Sequence, residues 1–295
     1  MTTGEKIKKL RVEKMMTQAQ LVGSHITRNM LSRIESDEAN PSLSTLLYLA
    51  SRLNVPAGYL LADEKEDQLY VKSLAIKNIK TSYQSGEYKI CRQFCLDFDG
   101  TDDEITFLLV RSSFEVAVEE FDKGNLRSAL FYFDEVISYS DESEYYTGNL
   151  KAAACMYIRY MRRFSPNLSS SVIDEDSVEY FCAMDDKFCR YFYAIECLDN
   201  SNESVADTYI KNSDERDSTV LHISARLDML HGNYLSAFSK LKIILTDDRE
   251  VSYPVLHNVF MNLEECAKEL NDFKAAYEYS NAKLHLLQRM LSVDE

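Results

Sequence analysis

The chain has 295 residues and a formal net charge of −15, with 45% hydrophobic and 27% charged residues. That hydrophobic content excludes intrinsic disorder. With only 8 Gly and 4 Pro, the chain also lacks the turn punctuation that sandwiches, barrels and doubly wound sheets need, so an all-α fold in about two domains is expected.

The charge is unevenly placed. Residues 1–62 hold Lys6, Lys8, Lys9, Arg11, Lys14, Arg28, Arg33 and Arg52 against Glu5, Glu13, Glu35, Asp37 and Glu38, a net +3, which leaves −18 on residues 63–295. A small basic head on a large acidic body implies two domains with different partners.

In the head the first helix is predicted over Thr3–Met15. Ile7, Leu10 and Lys14 share one face, and Lys6, Lys9 and Arg11 lie elsewhere around the axis. Thr17 caps a short second helix, with Gln20 completing a capping box, and that helix ends near Gly23-Ser24. Thr27 caps a third helix, Arg28–Ser36, with Leu31 and Ile34 inward. After the loop Asp37–Pro41, Ser42 caps a fourth helix striped by Leu43, Leu46, Leu47, Ala50 and Leu53. Pro56 opens a fifth, ending in Tyr59-Leu60-Leu61. Leu21, Leu31, Ile34, Leu46, Leu49 and Leu53 are the predicted core, and Glu35 is expected to be a packed or paired carboxylate.

Five short helices in about 60 residues form the layout of a helix-turn-helix module. The order of motifs is specific: LR at the end of helix 1, TQ-x-x-L opening helix 2, LSRIE closing helix 3, NPS-x-x-x-L opening helix 4 and LNV before helix 5. Over residues 4–62 this pattern resembles the Xre/phage-repressor family of DNA-binding domains, with a turn at Gly23–Ile26 one residue shorter than in some members. The resemblance implies that helix 3 enters the major groove. Thr27, Arg28, Asn29, Ser32 and Arg33 would then meet base edges, and Gln18 would hold a phosphate, with Arg11, Thr17 and Asn40 as further phosphate contacts. The chemistry agrees, since Arg pairs bidentately with guanine and Asn with adenine.

In the body one phrase recurs: GEYKIC from Gly86, GNLRSA from Gly124, GNYLSA from Gly232 and NDFKAA from Asn271. Each follows a helical stretch and opens another. The spacings are 38, 108 and 39 residues, so two degenerate copies are expected between the second and third, with turns at Ser165-Pro166-Asn167 and Asn200-Ser201-Asn202. The unit resembles the tetratricopeptide repeat, a helical hairpin that stacks into an α-solenoid with a concave groove. Five to six repeats fit the length. The last helix, Phe273–Leu291, is expected to cap the array and, through Leu284, Leu287, Met290 and Leu291, to offer a face to a second subunit. The expected layout is a head at 1–63, a linker or start of the first repeat helix at 64–72, and repeats over 69–295.

Arg111, Arg159, Arg226, Asn258 and Asn262 stand on first helices of repeats, where they could hold an extended peptide backbone, because Asn supplies both a donor and an acceptor. Tyr193, in the aromatic run Tyr191-Phe192-Tyr193, could line a groove for an apolar peptide. The acidic body favours a positively charged ligand.

No phosphate loop, GxGxxG, HExxH or GxSxG is present, and runs such as Asp174-Glu175-Asp176 read as solvated segments. No enzyme, cofactor or metal is expected. The five His form no ligand cluster, and the seven Cys (91, 95, 155, 182, 189, 197 and 266) follow no framework spacing. Cys91 and Cys95, at i, i+4, read as packing residues. With no apolar signal region and no membrane span in view, a cytoplasmic protein with reduced thiols is expected.

A repressor-type head on a repeat-type body resembles the Rgg/PlcR group of peptide-responsive regulators of Gram-positive bacteria. The resemblance implies a homodimer on double-stranded DNA and a short signalling peptide in the groove. Two alternatives stay open: a body that docks a protein such as an anti-repressor, and a repeat scaffold whose head does not bind DNA.

Overall fold

A computed structural model describes residues 1–62, 64–100, 102–174, 183–214, 217–246 and 251–292. Part of the run 174–176, Cys182 and the head boundary at 63 lie outside these residues. All regular structure among them is helical. The chain divides into two compact units, Met1–Asn78 with Phe98–Gly100, and Ile79–Asp97 with Thr101–Glu295.

The first unit holds α1 (Thr3–Glu13), α2 (Gln18–Val22), α3 (Arg28–Glu35), α4 (Leu43–Arg52) and α5 (Ala57–Leu61). The starts of α1 to α4 are fixed by side-chain caps that satisfy free amide groups of each first turn. Thr17 and Gln20 form the capping box of α2, Thr27 accepts from the Met30 amide, and Ser42 accepts from the Thr45 amide. Thr2 and Glu5 form a further box at α1. Leu21, Leu31, Ile34, Leu46, Leu49 and Leu53 are buried with Ile7 and Leu60. Leu43 and Leu47, expected inside, are 68% and 52% exposed. The core face of α4 is Leu46, Leu49, Ala50 and Leu53, and Leu43 and Leu47 stand at its edge.

Lys6 and Gly4 of α1 face inward. Lys6 is fully buried, and its Nζ donates to the Tyr59 carbonyl at 3.1 Å and the Ala62 carbonyl at 2.7 Å, at the C-terminus of α5. The ammonium thus meets the negative end of the α5 dipole. Gly4 lets α1 approach α3 closely: a Cβ there would stand 2.0 Å from the Ile34 carbonyl oxygen.

From Glu64 the chain continues as α6 (Glu64–Gln84), α7 (Tyr88–Leu96), α8 (Asp103–Asp122), α9 (Leu126–Ser140), α10 (Gly148–Met161), α11 (Lys187–Asp199), α12 (Ser204–Lys211), α13 (Ser218–Leu230), α14 (Tyr234–Thr246), α15 (Tyr253–Glu269) and α16 (Phe273–Leu291). The four repeat phrases fall at the turns into α7, α9, α14 and α16, and their first residues are all left-handed: Gly86, Gly124, Gly232 and Asn271 have φ of 76°, 80°, 75° and 62°. Ser201, at the expected turn into α12, has φ 59°. At each turn the amide of the following residue returns to a carbonyl five positions back, for example Asn125 to Glu120 and Asn202 to Cys197. This cap satisfies the last carbonyls of one helix while reversing the chain. The small residue of each phrase is buried: Cys91, Ala129 and Ala237 fully, and Ala276 at 4% exposure. The expected turn at Ser165-Pro166-Asn167 opens no second helix among the described residues, and 164–174 run as irregular chain.

Three apolar clusters make the body core. One joins α8, α9, α10 and α11, a second joins α11, α12 and α13, and a third joins α13, α14 and α15. The last helix departs from expectation. Met290 is buried in the first cluster, with Leu286, Leu287 and Leu291 packed against it. Of the four residues expected to face a second subunit, only Leu284 is exposed, at 51%.

Candidate nucleic-acid interface and ligand cavity

The turn from α2 to α3 is held by close packing. Gly23 has φ +53°, and a Cβ on it would lie 2.3 Å from the Tyr48 hydroxyl. His25 stacks on Tyr48 at 4.3 Å. Beyond the turn α3 buries Leu31, Ile34 and Glu35 and exposes Arg28, Asn29, Ser32 and Arg33, with Thr27 exposed at its cap. Spacing i, i+1, i+4, i+5 gathers the four on one side of the helix. They make a ridge of donors suited to base edges. Thr17 and Asn40 are exposed as well.

Arg11 is not such a surface donor. Its Nε and Nη2 form a paired bond with Glu35 at 2.6 and 2.9 Å, its Nη1 donates to the Met16 carbonyl, and its side chain is 13% exposed. The bond to Glu35 raises the guanidinium above its ordinary pKa against the opposing effect of burial. Arg11 thus braces α1 to α3 through three of its five N–H donors, leaving two for the phosphate contact that the resemblance implies. Gln18 joins the same network. Its Nε2 donates to Glu35 at 2.9 Å, and its Oε1 accepts from Arg28 Nε at 3.3 Å. The sequence pattern implied a paired Glu35, but not that its partners would be Arg11 and Gln18.

In the body the six predicted ligand residues separate. Arg226, Asn258 and Asn262 meet in one cavity of about 270 Å³, with Arg163, Phe164, Ile195, Asp199, His222, His257 and Met261. Arg111, Arg159 and Tyr193 are not among its lining residues. Arg111 donates to the Tyr83 hydroxyl at 2.9 Å, Arg159 lies half-buried on α10, and Tyr193 packs against the first body cluster.

The cavity floor is a polar chain. Tyr191 Oη lies 2.8 Å from His222 Nδ1, and Asn262 Nδ2 lies 2.8 Å from His222 Nε2. Asn258 Nδ2 donates to Tyr160 Oη at 2.6 Å, which in turn donates to the Pro254 carbonyl. Burial lowers the His222 pKa to about 3, with Arg226 adding to the effect, and burial with Lys283 lowers that of His257 to about 4. Both rings are therefore neutral near pH 7. Sequence reading missed His222 and His257, although His222 precedes Arg226 by four residues and His257 adjoins Asn258, so face-sharing along α13 and α15 could have found them. Arg163 and Asp199 carry no comparable local signal.

The exposed donor ridge on the second helix of a tight helical pair defines a helix-turn-helix, DNA-binding transcriptional regulator. Residues 7–60 match the family described as Helix-turn-helix. The immunity repressor protein of Bacillus phage phi105 is 34% identical over 104 residues, spanning 34% of this chain and 72% of the phage protein. The chain belongs to this family of Xre-type helix-turn-helix regulators.

Among solved structures, Bacillus thuringiensis PlcR in complex with the peptide PapR7 and DNA is 14% identical, over 99% of each chain, with a TM-score of 0.25. ComR from S. thermophilus, in complex with DNA and its signalling peptide ComS, is 18% identical over 97% of this chain and 99% of that one, with a TM-score of 0.22. The Streptococcus dysgalactiae SHP pheromone receptor Rgg2 is 14% identical over 96% and 99%, with a TM-score of 0.21. No helix among the described residues is long and apolar enough to cross a membrane.

Proposed function

We propose that this regulator reads an operator with Thr27, Arg28, Asn29, Ser32 and Arg33, with Thr17, Gln18 and Asn40 at phosphates, and that its repeat body binds a short peptide and forms a homodimer. The observation that carries the peptide reading is the convergence of Arg226, Asn258 and Asn262, from two different helices, on one cavity. Asn side chains at such a floor match a peptide backbone, which offers both an N–H and a C=O at every residue.

Dimerisation is supported by the apolar side chains that one face of α16 leaves outside its own core. Phe273, Tyr277 and Leu284 are 67%, 69% and 51% exposed and recur at helical spacing. A peptide in the cavity would bias the body between arrangements that differ in how two heads meet paired half-sites. Native mass spectrometry of the protein purified from its own host tests the peptide reading. A bound species of peptide mass is expected, and protein that is consistently free of one counts against it.

A further inference from the structure

The cavity carries the opposite charge from the body that contains it. Residues 63–295 sum to −18, yet the charged residues lining the cavity are Arg163 and Arg226 against Asp199 alone. Asp199 is shared. Its Oδ2 accepts from Arg163 Nη2 and its Oδ1 from Arg226 Nη2, both at 2.6 Å. Each guanidinium has five N–H donors in a planar fork, so most of this donor capacity is not used by Asp199. Arg163 is held in place by stacking over Phe192 and Tyr160, at 5.2 and 5.9 Å.

A second, independent feature lies on the same floor. Asn262 is 1% exposed. One end of its amide meets His222, and its Oδ1 has no hydrogen-bond partner among the described residues. A buried polar atom left in this way is costly, so it is a group for a ligand to satisfy. Beside it Phe164, Ile195 and Met261 supply apolar surface. The volume of about 270 Å³ falls short of the roughly 300–1,000 Å³ that encloses a drug-sized ligand. The cavity therefore takes one end of a chain and leaves the rest outside.

We propose, building on the peptide reading above, that this cavity receives a carboxylate of the peptide. The anion bridges Arg163 and Arg226, its residue's side chain rests on Phe164, Ile195 and Met261, and a backbone N–H donates to Asn262 Oδ1. Two guanidiniums, Asp199 and one ligand carboxylate sum to zero, which is the condition for desolvating the group. The positively charged ligand expected from the overall acidity of the body is thereby reversed at the site itself.

The test uses the full-length protein and synthetic heptapeptide libraries of matched composition. The libraries end in either a free acid or an amide, and either contain or omit Asp and Glu. Retained peptides are identified by affinity-selection mass spectrometry. Peptides with a carboxylate are expected to be retained about tenfold or more over those with none, and the preference is expected to vanish in Arg163→Gln/Arg226→Gln. Arg163→Gln alone, on the exposed rim, serves if the double variant does not fold. Dependence on the terminal acid alone identifies the C-terminus as the source, and dependence on Asp or Glu alone identifies a side chain. Equal retention of carboxylate-free peptides, or a preference that survives in the variant, overturns the proposal while peptide binding stands. Retention from no library overturns the peptide reading, and the carboxylate site with it.

Discussion

Arg28 and Asn29, at the N-terminal end of α3, are exposed side chains whose donor patterns match single bases, and the test of the reading ridge rests on them. Replacing either by Ala is expected to weaken operator binding by about 1–3 kcal/mol, measured by fluorescence anisotropy at fixed salt. Unchanged affinity in the double variant would falsify the assignment of α3 to the groove. Arg11→Ala is expected to act differently. It removes the partner of the buried Glu35 carboxylate, so it should lower the melting temperature of the protein itself. His222 gives a residue-scale prediction with a sign. Its folded pKa of about 3 lies below the ordinary value of 6.5. The stability it contributes is complete above about pH 6.5 and is lost as pH falls toward 3. Calorimetry between about pH 7 and pH 5 is expected to show a loss of about 2 kcal/mol from this residue, and His222→Gln should make the fall shallower.

The element scale is governed by left-handed caps. Besides the glycines, Met15, Asp37, Asn54, Ser201 and Asn271 occupy positive φ, which is how a chain with 8 Gly turns so often. A side chain there costs roughly 1 kcal/mol relative to Gly. Ser201→Gly is therefore expected to raise stability by about 0.5–1 kcal/mol, read as a shift in urea midpoint at constant slope. Gly124→Ala should do the reverse and by more, because its Cβ would also come within 2.8 Å of the Tyr253 ring. These turns were legible in the sequence because the phrase at Gly86, Gly124, Gly232 and Asn271 has a local physical cause, a left-handed residue followed by a buried small one. The stretch after α10 was not legible, since Ser165-Pro166-Asn167 has turn composition but no such buried small residue to seat a second helix. Leu43 and Leu47 misled for a different reason: they stand at one edge of the apolar stripe, and packing covers only the side that carries Leu46, Leu49, Ala50 and Leu53.

For the whole molecule, the exposed α16 side chains predict an assembly. Sedimentation at micromolar concentration is expected to show a dimer, and Tyr277→Glu with Leu284→Glu should shift it to monomer and weaken operator binding about tenfold or more, because one head then binds without its pair. A monomeric wild-type protein would sink this part of the reading. Sequence showed the division of charge between head and body, but not the local sign at the cavity. Arg163 sits in the turn after α10, and Asp199, Arg226 and Asn262 lie on α11, α13 and α15, and nothing in their one-dimensional order brings them together.

The buried Lys6 links positions far apart in the order of synthesis. Its ammonium is held by carbonyls of Tyr59 and Ala62, so α1 has no home for that charge until α5 has left the ribosome. The head therefore completes its fold late in its own translation, as one unit. At about 5–20 residues per second the remaining chain takes roughly ten to fifty seconds more. During that interval each nascent chain carries a finished helix-turn-helix head and an unfinished body.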